Sequence, residues 1–235
     1  MKNQYVGDIN DYKKYGLIRV LAGDGEHAFR VGVFWMLTED DERNDGNILE
    51  YLGHPTKWQH YDPQLFNKLH SIIHIHRRRT VSLVQELEIL PFATFADHLI
   101  PDDVKSRRDI FSSALDSFKR HEIVFFDPDN GLEIVSKPLG RKNSNKFLYF
   151  SEVQDAFKRG HSLVIYQHFP YIQRDPYITD RICQLREATN SSMVFSLSTS
   201  RVCFFIVSQP NHIQHFKNRL DVLRNRWGSQ FVQRP

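Results

Sequence analysis

The stretch "MVFSLSTSRVCFFIV", residues 193–207, contains two apolar, β-rich runs that are separated only by the four residues "STSR". Four residues can join two antiparallel strands, but parallel strands need a crossover of a dozen residues or more. The stretch therefore predicts a β-hairpin. What precedes this hairpin along the chain decides the fold class.

Strands and helices alternate upstream of the hairpin. Apolar runs predict buried strands at 122–127 and 162–167, and the spacing of apolar residues predicts helices at 151–159 and 174–188. Nearly continuous apolar strands that alternate with helices are typical of a parallel sheet covered on both faces. The sequence therefore predicts an α/β fold with a doubly wound, mostly parallel sheet that ends in an antiparallel hairpin strand. This layout resembles the methyltransferase type of that fold.

The chain of 235 residues is predicted to form a single α/β domain over residues 1–235. Helical patterns at 62–76 and 80–88 predict a helical insertion within it, over residues 50–100. The remaining patterns predict a first strand at 29–37 and helices at 11–22, 102–120 and 211–227.

The composition limits the class of protein. With 31 Lys and Arg against 28 Asp and Glu, the mild positive charge permits a nucleic-acid partner without requiring one. The two cysteines, Cys183 and Cys203, form no Cys-x-x-Cys pair, which excludes a disulfide scaffold and a cysteine-rich zinc site. We see no signal peptide and no apolar run near the roughly 18 residues of a membrane span. A soluble, cytoplasmic protein is expected, and nothing in the sequence indicates a protein partner.

An acidic loop follows the predicted strand in "EIVFFDPDNGLEI", residues 122–134. Ligands of open α/β sheets bind outside the carboxyl ends of the strands, which is where Asp127 lies. Asp127 could accept hydrogen bonds from an amino group that attacks a methyl donor. Alternatively, Asp127, Asp129 and Glu133 could bind Mg²⁺ and orient a phosphodiester for hydrolysis. A plain polar turn is the third interpretation, since Asp-Pro-Asp-Asn-Gly has typical turn chemistry.

Two segments carry a family resemblance. "YVGDINDYKKYGLIRVL" (5–21) and "VFFDPDNG" (124–131) resemble the opening helix and the catalytic Asp-Pro-Pro-aromatic motif of the ribosomal-RNA adenine-N6 methyltransferases. The chain resembles the three-Cys-motif partner proteins more loosely. The resemblance implies S-adenosylmethionine as the methyl donor. It also implies a catalytic Asp127, and it places Lys14 near the donor. In the function that we favour, Asn130 and His168 complete the catalytic pocket.

The sequence departs from that family in two places. Asp129 and Asn130 replace the second proline and the aromatic residue of the catalytic motif. The loop after the first strand, "LTEDDERNDG" (37–46), has a single glycine where the family has a glycine-rich loop for the cofactor. Asp8 and Asp45 complete, with Lys14, the set of candidate cofactor-binding residues.

Clusters of basic residues are candidates for phosphate contacts, although solvated surface is the commoner role of such clusters. The candidates lie in "HRRRT" (76–80) and in the loop 140–147, and they are Arg77, Arg78, Arg79, Arg141, Lys142 and Lys146. His168 ends a predicted strand in "YQHFPY" (166–171) and could act as a general acid or base, or it could be structural.

The favoured function is that of a methyltransferase-fold enzyme acting on an amino group of nucleic acid. The alternatives are a Mg²⁺-dependent nuclease or phosphodiesterase that uses the acidic loop, and a non-catalytic binding module of the methyltransferase fold.

Overall fold

The computed structural model describes residues 1–40 and 46–235. Its strands are Val31–Phe34 (β1), Ala93–Ala96 (β2), Ile123–Phe126 (β3), Gly131–Leu132 (β4), Phe147–Leu148 (β5), Ser162–His168 (β6), Met193–Ser198 (β7), Val202–Ser208 (β8) and Val232–Arg234 (β9). Its α-helices are Ile9–Ala22 (α1), Pro55–Trp58 (α2), Pro63–Ser71 (α3), Val81–Glu86 (α4), Val104–Ser117 (α5), Phe150–Lys158 (α6), Arg174–Thr189 (α7) and Ile213–Trp227 (α8).

In the described part of the chain, a seven-stranded sheet has the order β2, β1, β3, β6, β8, β7, β9, and β4 pairs with β5 separately. The pairs β2–β1, β1–β3 and β3–β6 are parallel. Strand β8 runs antiparallel to both β6 and β7, and β9 runs antiparallel to β7. The predicted fold class is therefore confirmed, with the antiparallel hairpin strand β8 lying inside the sheet.

Helices cover both faces of this sheet. Along β3, Ile123 and Phe125 belong to the core under α1 and α8, whereas Val124 and Phe126 belong to the core under α5, α6 and α7. Side chains of a strand alternate between the faces of a sheet, so a central strand must be apolar throughout to contribute to both cores. The run "IVFF" satisfies this requirement, which explains why β3 lies inside the sheet and not at its edge.

The segment 50–100 differs from the predicted helical insertion. Helices α2, α3 and α4 lie in it, but Ala93–Ala96 form a strand of the main sheet, with Ala93 opposite Val31 in the parallel register. Four residues, "ATFA", are too few to display a periodic pattern, which explains why the strand was missed. The predicted helix at 62–76 is likewise interrupted, since a π-helical turn follows α3 and Arg77 adopts a left-handed conformation.

Helix α1 lies against the same face of the sheet as α8, and the two helices meet at Gly16. A Cβ atom on Gly16 would lie 2.0 Å from the indole of Trp227, so only glycine allows this close approach. The approach brings the first turns of α1 to the carboxyl ends of the strands. No helix among the described residues is long and apolar enough to span a membrane.

Candidate functional site

A cavity of about 1590 Å³ opens at the carboxyl ends of the parallel strands, and we call it the carboxyl-edge cavity. Its walls come from the N-terminal segment with α1, the loop after β3, the β6–α7 connection and the β7–β8 turn. Pockets for single small molecules usually measure roughly 300–1,000 Å³. This cavity can hold a nucleotide together with part of its neighbours. The lining includes Asp8, Lys14, Asp127, Asp129, Tyr166 and Arg201.

A buried group of charges forms the innermost part of the site. The Nζ atom of Lys14 lies 2.6 Å from Oδ1 of Asp11 and 2.8 Å from Oδ2 of Asp127. Each of the three side chains is at most 5% exposed. The hydroxyl of Tyr15 donates a hydrogen bond to Oδ2 of Asp11 at 3.1 Å. The structure thus joins two residues that the sequence resemblance placed in one site, Lys14 and Asp127.

The electrostatics of this group keep the lysine charged. Burial alone lowers the pKa of Lys14, but the carboxylates of Asp11 and Asp127 outweigh that effect and raise it. Burial raises the pKa of Asp11 to about 6, against the opposing effect of the Lys14 ammonium. A protonated lysine is not a nucleophile, so Lys14 acts as a fixed positive charge beside Asp127.

Asp129 occupies a different electrostatic environment in the same cavity. Its Oδ2 atom lies 3.6 Å from Nζ of Lys146 and 3.9 Å from Nζ of Lys2, distances longer than a hydrogen bond. Its Oδ1 atom is buried without a hydrogen-bond partner, and the side chain is only 5% exposed. An unsatisfied buried polar atom costs roughly 1–3 kcal/mol, and more when it is charged. Asp129 therefore lines the cavity as a carboxylate that a ligand's donor group would satisfy.

The turn that carries both carboxylates is held rigidly. Gly131 has a φ of +109°, a conformation that favours glycine, and a Cβ atom there would lie 2.3 Å from the amide of Gln167. That amide clamps the turn, because its oxygen accepts the N–H of Leu132 at 2.9 Å and its nitrogen donates to the carbonyl of Asn130 at 2.9 Å. The exposed side chain of Asn130 lines the cavity next to Asp129.

Lys146 reaches Asp129 because the preceding loop is anchored to the start of α5. Oxygens of Asp102 accept hydrogen bonds from the N–H groups of Asn143 and Asn145, at 2.9 and 2.8 Å. The buried Arg107 donates to the carbonyl of Phe147 and to the carboxylate of Glu152. These bonds fix the loop, so the position of Lys146 is set by the fold.

The residues at the end of β1 do not fit S-adenosylmethionine. No glycine lies between Gly32 and Gly46 in the sequence. The N–H of Thr38, four residues after β1, donates to the carbonyl of Met1 at 3.0 Å and is therefore not available to a ligand. Lys14 contacts Asp11 and Asp127, Asp8 caps α1 through Asn10, and both Lys14 and Asp8 line the carboxyl-edge cavity. Asp45, the third predicted cofactor-binding residue, lies outside the described residues, so binding of S-adenosylmethionine stays a prediction.

The proposed Mg²⁺ ligands do not come together either. Oδ2 of Asp127 contacts Lys14, and Glu133 does not line the cavity. The carboxylate of Glu133 instead accepts the N–H of Phe150 at the start of α6, at 2.8 Å. Among the described residues, no group of three or more His, Cys, Asp or Glu side chains could hold a metal ion.

Of the six predicted nucleic-acid contacts, Lys146 lines the carboxyl-edge cavity. A smaller neighbouring cavity is lined by both Lys142 and Lys146. Arg79 is half-buried and has a structural role, since its guanidinium binds the carbonyls of Val6 and Gly46. The other candidates, Arg77, Arg78 and Arg141, are exposed outside both cavities.

His168 is exposed at the end of β6 and lines the cavity, as its place in the sequence predicts. Several residues of the site were missed. The cavity is also lined by Tyr166 in β6, Phe169 in the connection that follows and Arg174 at the start of α7. Arg201 lines it from the β7–β8 turn. The strand-end segment "YQHFPY" and the hairpin turn "STSR" were the available signals, since both leave the carboxyl edge.

Fold and site together define a doubly wound α/β protein with a charged, aromatic-lined cavity at the carboxyl edge of its sheet. No protein-family model matches the chain, and no curated protein matches it in sequence. Among solved structures, it is similar to the crystal structure of protein LPL1258 from Legionella pneumophila, of the family model DUF519. That similarity covers 97% of this chain and 96% of the other, at 11% identity and a TM-score of 0.42. The resemblance to ribosomal-RNA methyltransferases stays a prediction.

Proposed function

We propose that this chain binds nucleic acid and takes one unstacked nucleotide into the carboxyl-edge cavity. There, Asp129 accepts hydrogen bonds from the exocyclic amino group of the base. The observation that carries the proposal is the side chain of Asp129, which lines the cavity and has a buried Oδ1 atom without a hydrogen-bond partner. An adenine or cytosine amino group supplies the missing donor, whereas uracil has no exocyclic amino group and donates only through its ring N3–H.

The rest of the cavity suits a nucleotide. Tyr5, Tyr166 and Phe169 provide aromatic surface for a base, and Lys146 and Arg201 provide positive charge for the backbone phosphates. Proteins that act on a base outside the helix combine these elements, with stacking surfaces around the base and hydrogen bonds to its edge.

Binding of short single-stranded oligonucleotides tests the proposal. We expect uridine oligonucleotides with one central adenosine or cytidine to bind about tenfold or more tightly than oligouridine, because a charged acceptor gains a partner. Asp129→Asn should weaken this preference, because a neutral amide oxygen is a poorer acceptor than a carboxylate. Asp109→Asn, which changes an exposed carboxylate on α5, is the matched control and should leave it intact. Equal affinity of the wild-type protein for all three oligonucleotides would refute the proposal.

Methyl transfer to that amino group is a second candidate. The contact between Lys14 and Asp127 favours it, because the resemblance assigns these two residues to donor and acceptor. The poor fit at the end of β1 argues against it. Incubation of the protein and oligonucleotide with radiolabelled S-adenosylmethionine decides the matter. Label transferred to nucleic acid by the wild type, but not by Asp127→Ala, would establish the activity, and no transfer would leave a binding protein.

A further inference from the structure

We infer that the carboxyl-edge cavity receives its nucleotide from a single strand, and that Tyr171 stacks on the neighbouring base. This inference rests on the proposed function, and it names the form of nucleic acid and the residue that grips the adjacent nucleotide.

The β6–α7 connection exposes the side chains of Tyr171 and Ile172 beside the cavity. We define the cavity rim as these two residues together with Arg174, at the start of α7, and Arg201, in the β7–β8 turn. The side chain of Tyr171 is fully exposed, at 108% of its reference area, and Ile172 is 58% exposed. Both residues line the cavity. Single exposed apolar residues are common on protein surfaces. Two adjacent ones beside a cavity with an unsatisfied carboxylate indicate a contact surface for the ligand.

The charges beside Tyr171 identify the kind of ligand. Arg174 and Arg201 are exposed on the same rim, and the guanidinium of Arg174 lies 4.6 Å from the ring centre of Phe169. Alternation of exposed aromatic rings and cations is the arrangement by which proteins bind single strands, with rings for the bases and cations for the phosphates. A nucleotide strand supplies all three kinds of group at once, with bases for the rings, phosphates for the cations and an amino group for the carboxylate of Asp129.

The exposed ring of Tyr171 favours a single strand over a duplex. A ring that stands free in solvent can stack only on a base whose face is exposed, and the bases of a duplex cover each other. The base next to the one in the cavity has such a face when the strand is unpaired. Tyr171 lies at the correct place for it, on the rim of that cavity.

Parallel titrations of a mononucleotide, a short single strand and its duplex test the inference. Tyr171→Ala should weaken binding of the single strand about tenfold, which is a larger factor than its effect on mononucleotide binding. Tyr171→Trp should retain the affinity, and its fluorescence should be quenched by the single strand. Val135→Ala is the matched control, because Val135 is fully exposed but does not line the cavity.

The outcomes separate this inference from the proposed function. Normal single-strand binding by Tyr171→Ala would overturn the stacking role while the adenosine or cytidine preference still stands. Equal binding of duplex and single strand would overturn the choice of a single strand. Absence of any oligonucleotide binding by the wild-type protein would overturn both.

Discussion

The two edges of the main sheet bury polar groups in opposite ways. At the carboxyl edge, Lys14 and two aspartates form a buried ion group, and Asp129 keeps an oxygen without a partner beside a large cavity. At the amino edge, histidines bond to neutral groups of the fold, and the one ring atom of His161 that is buried without a partner, Nε2, belongs to a group for which burial favours the neutral form. The ring of His212 bonds to Ser162 at 2.9 Å, and that of His161 bonds to the carbonyl of His121 at 2.8 Å.

The contrast separates structural polar groups from candidate functional ones. Burial lowers the pKa of the amino-edge histidines His121, His161, His212 and His215, so that edge favours neutral rings. The carboxyl edge keeps ionised groups in place at a high cost in desolvation, and part of this cost remains uncompensated at Asp129. A fold selected for stability alone would favour the neutral, hydrogen-bonded groups of the amino edge.

Removal of the buried cation should have the largest effect. Lys14→Ala removes the ammonium that contacts both Asp11 and Asp127 and leaves the two buried carboxylates close together, and we expect a loss of about 3–5 kcal/mol in the free energy of unfolding. Urea denaturation measures this loss. Lys119→Ala, at an exposed position after α5, is the control and should change stability very little. A loss below about 1 kcal/mol for Lys14→Ala would contradict the buried ion group.

The equivalent change at the amino edge should cost less. Ser162→Ala removes the partner of the His212 ring and of the N–H of Gln209, which lies 2.9 Å from the Ser162 hydroxyl. These groups are neutral, so we expect a loss of roughly 1–3 kcal/mol. The exposed Ser113→Ala in α5 serves as the control. If Ser162→Ala destabilised the protein more than Lys14→Ala, the contrast between the edges would be wrong.

Acidification should weaken the amino edge. Because the folded state lowers the pKa of its histidines, the unfolded chain binds more protons below pH 6.5, and stability falls as the pH falls. Asp11 acts in the opposite direction, since its raised pKa of about 6 favours the folded state as it takes up a proton. We expect a lower urea midpoint at about pH 5.5 than at pH 7.5, and a smaller drop in His161→Gln. If the urea midpoint of the wild-type protein were the same at both pH values, the result would argue against neutral histidines at the amino edge.

Removal of one positive charge from the cavity rim should have the smallest effect of these changes. Arg174→Gln should weaken oligonucleotide binding uniformly across sequences and reduce the slope of log affinity against log salt by about 1. Arg78→Gln changes an exposed arginine outside the cavity and should leave the slope unchanged. If Arg78→Gln reduced the slope more than Arg174→Gln does, the result would support the predicted contact of "HRRRT" with phosphate and contradict binding at the cavity rim.

The main sheet could be predicted because its signals are local. The runs "IVFF" and "VCFFIV" are long enough and apolar enough to identify buried strands, and the turn "STSR" fixes their antiparallel pairing. Strand β2 escaped prediction because "ATFA" has no period and pairs with a strand some 60 residues earlier, with Ala93 opposite Val31.

The site could be predicted only where a strand end marked it. Asp127 and His168 follow strands whose carboxyl ends are evident from the sequence, whereas the partnership of Asp11 with Lys14 and Asp127 depends on the packing of α1 at Gly16. Arg79 was predicted to contact phosphate but binds backbone carbonyls, because composition cannot distinguish a solvated arginine from one that the fold uses. The unsatisfied oxygen of Asp129 is a property of the assembled fold alone.

A crystal structure of the protein with a uridine oligonucleotide that contains one adenosine tests the central claim most directly. We predict that the adenine lies in the carboxyl-edge cavity with its amino nitrogen within hydrogen-bond distance, about 3 Å, of an Asp129 oxygen. An oligonucleotide bound elsewhere, or an adenine in the cavity with its amino group away from Asp129, would contradict the claim.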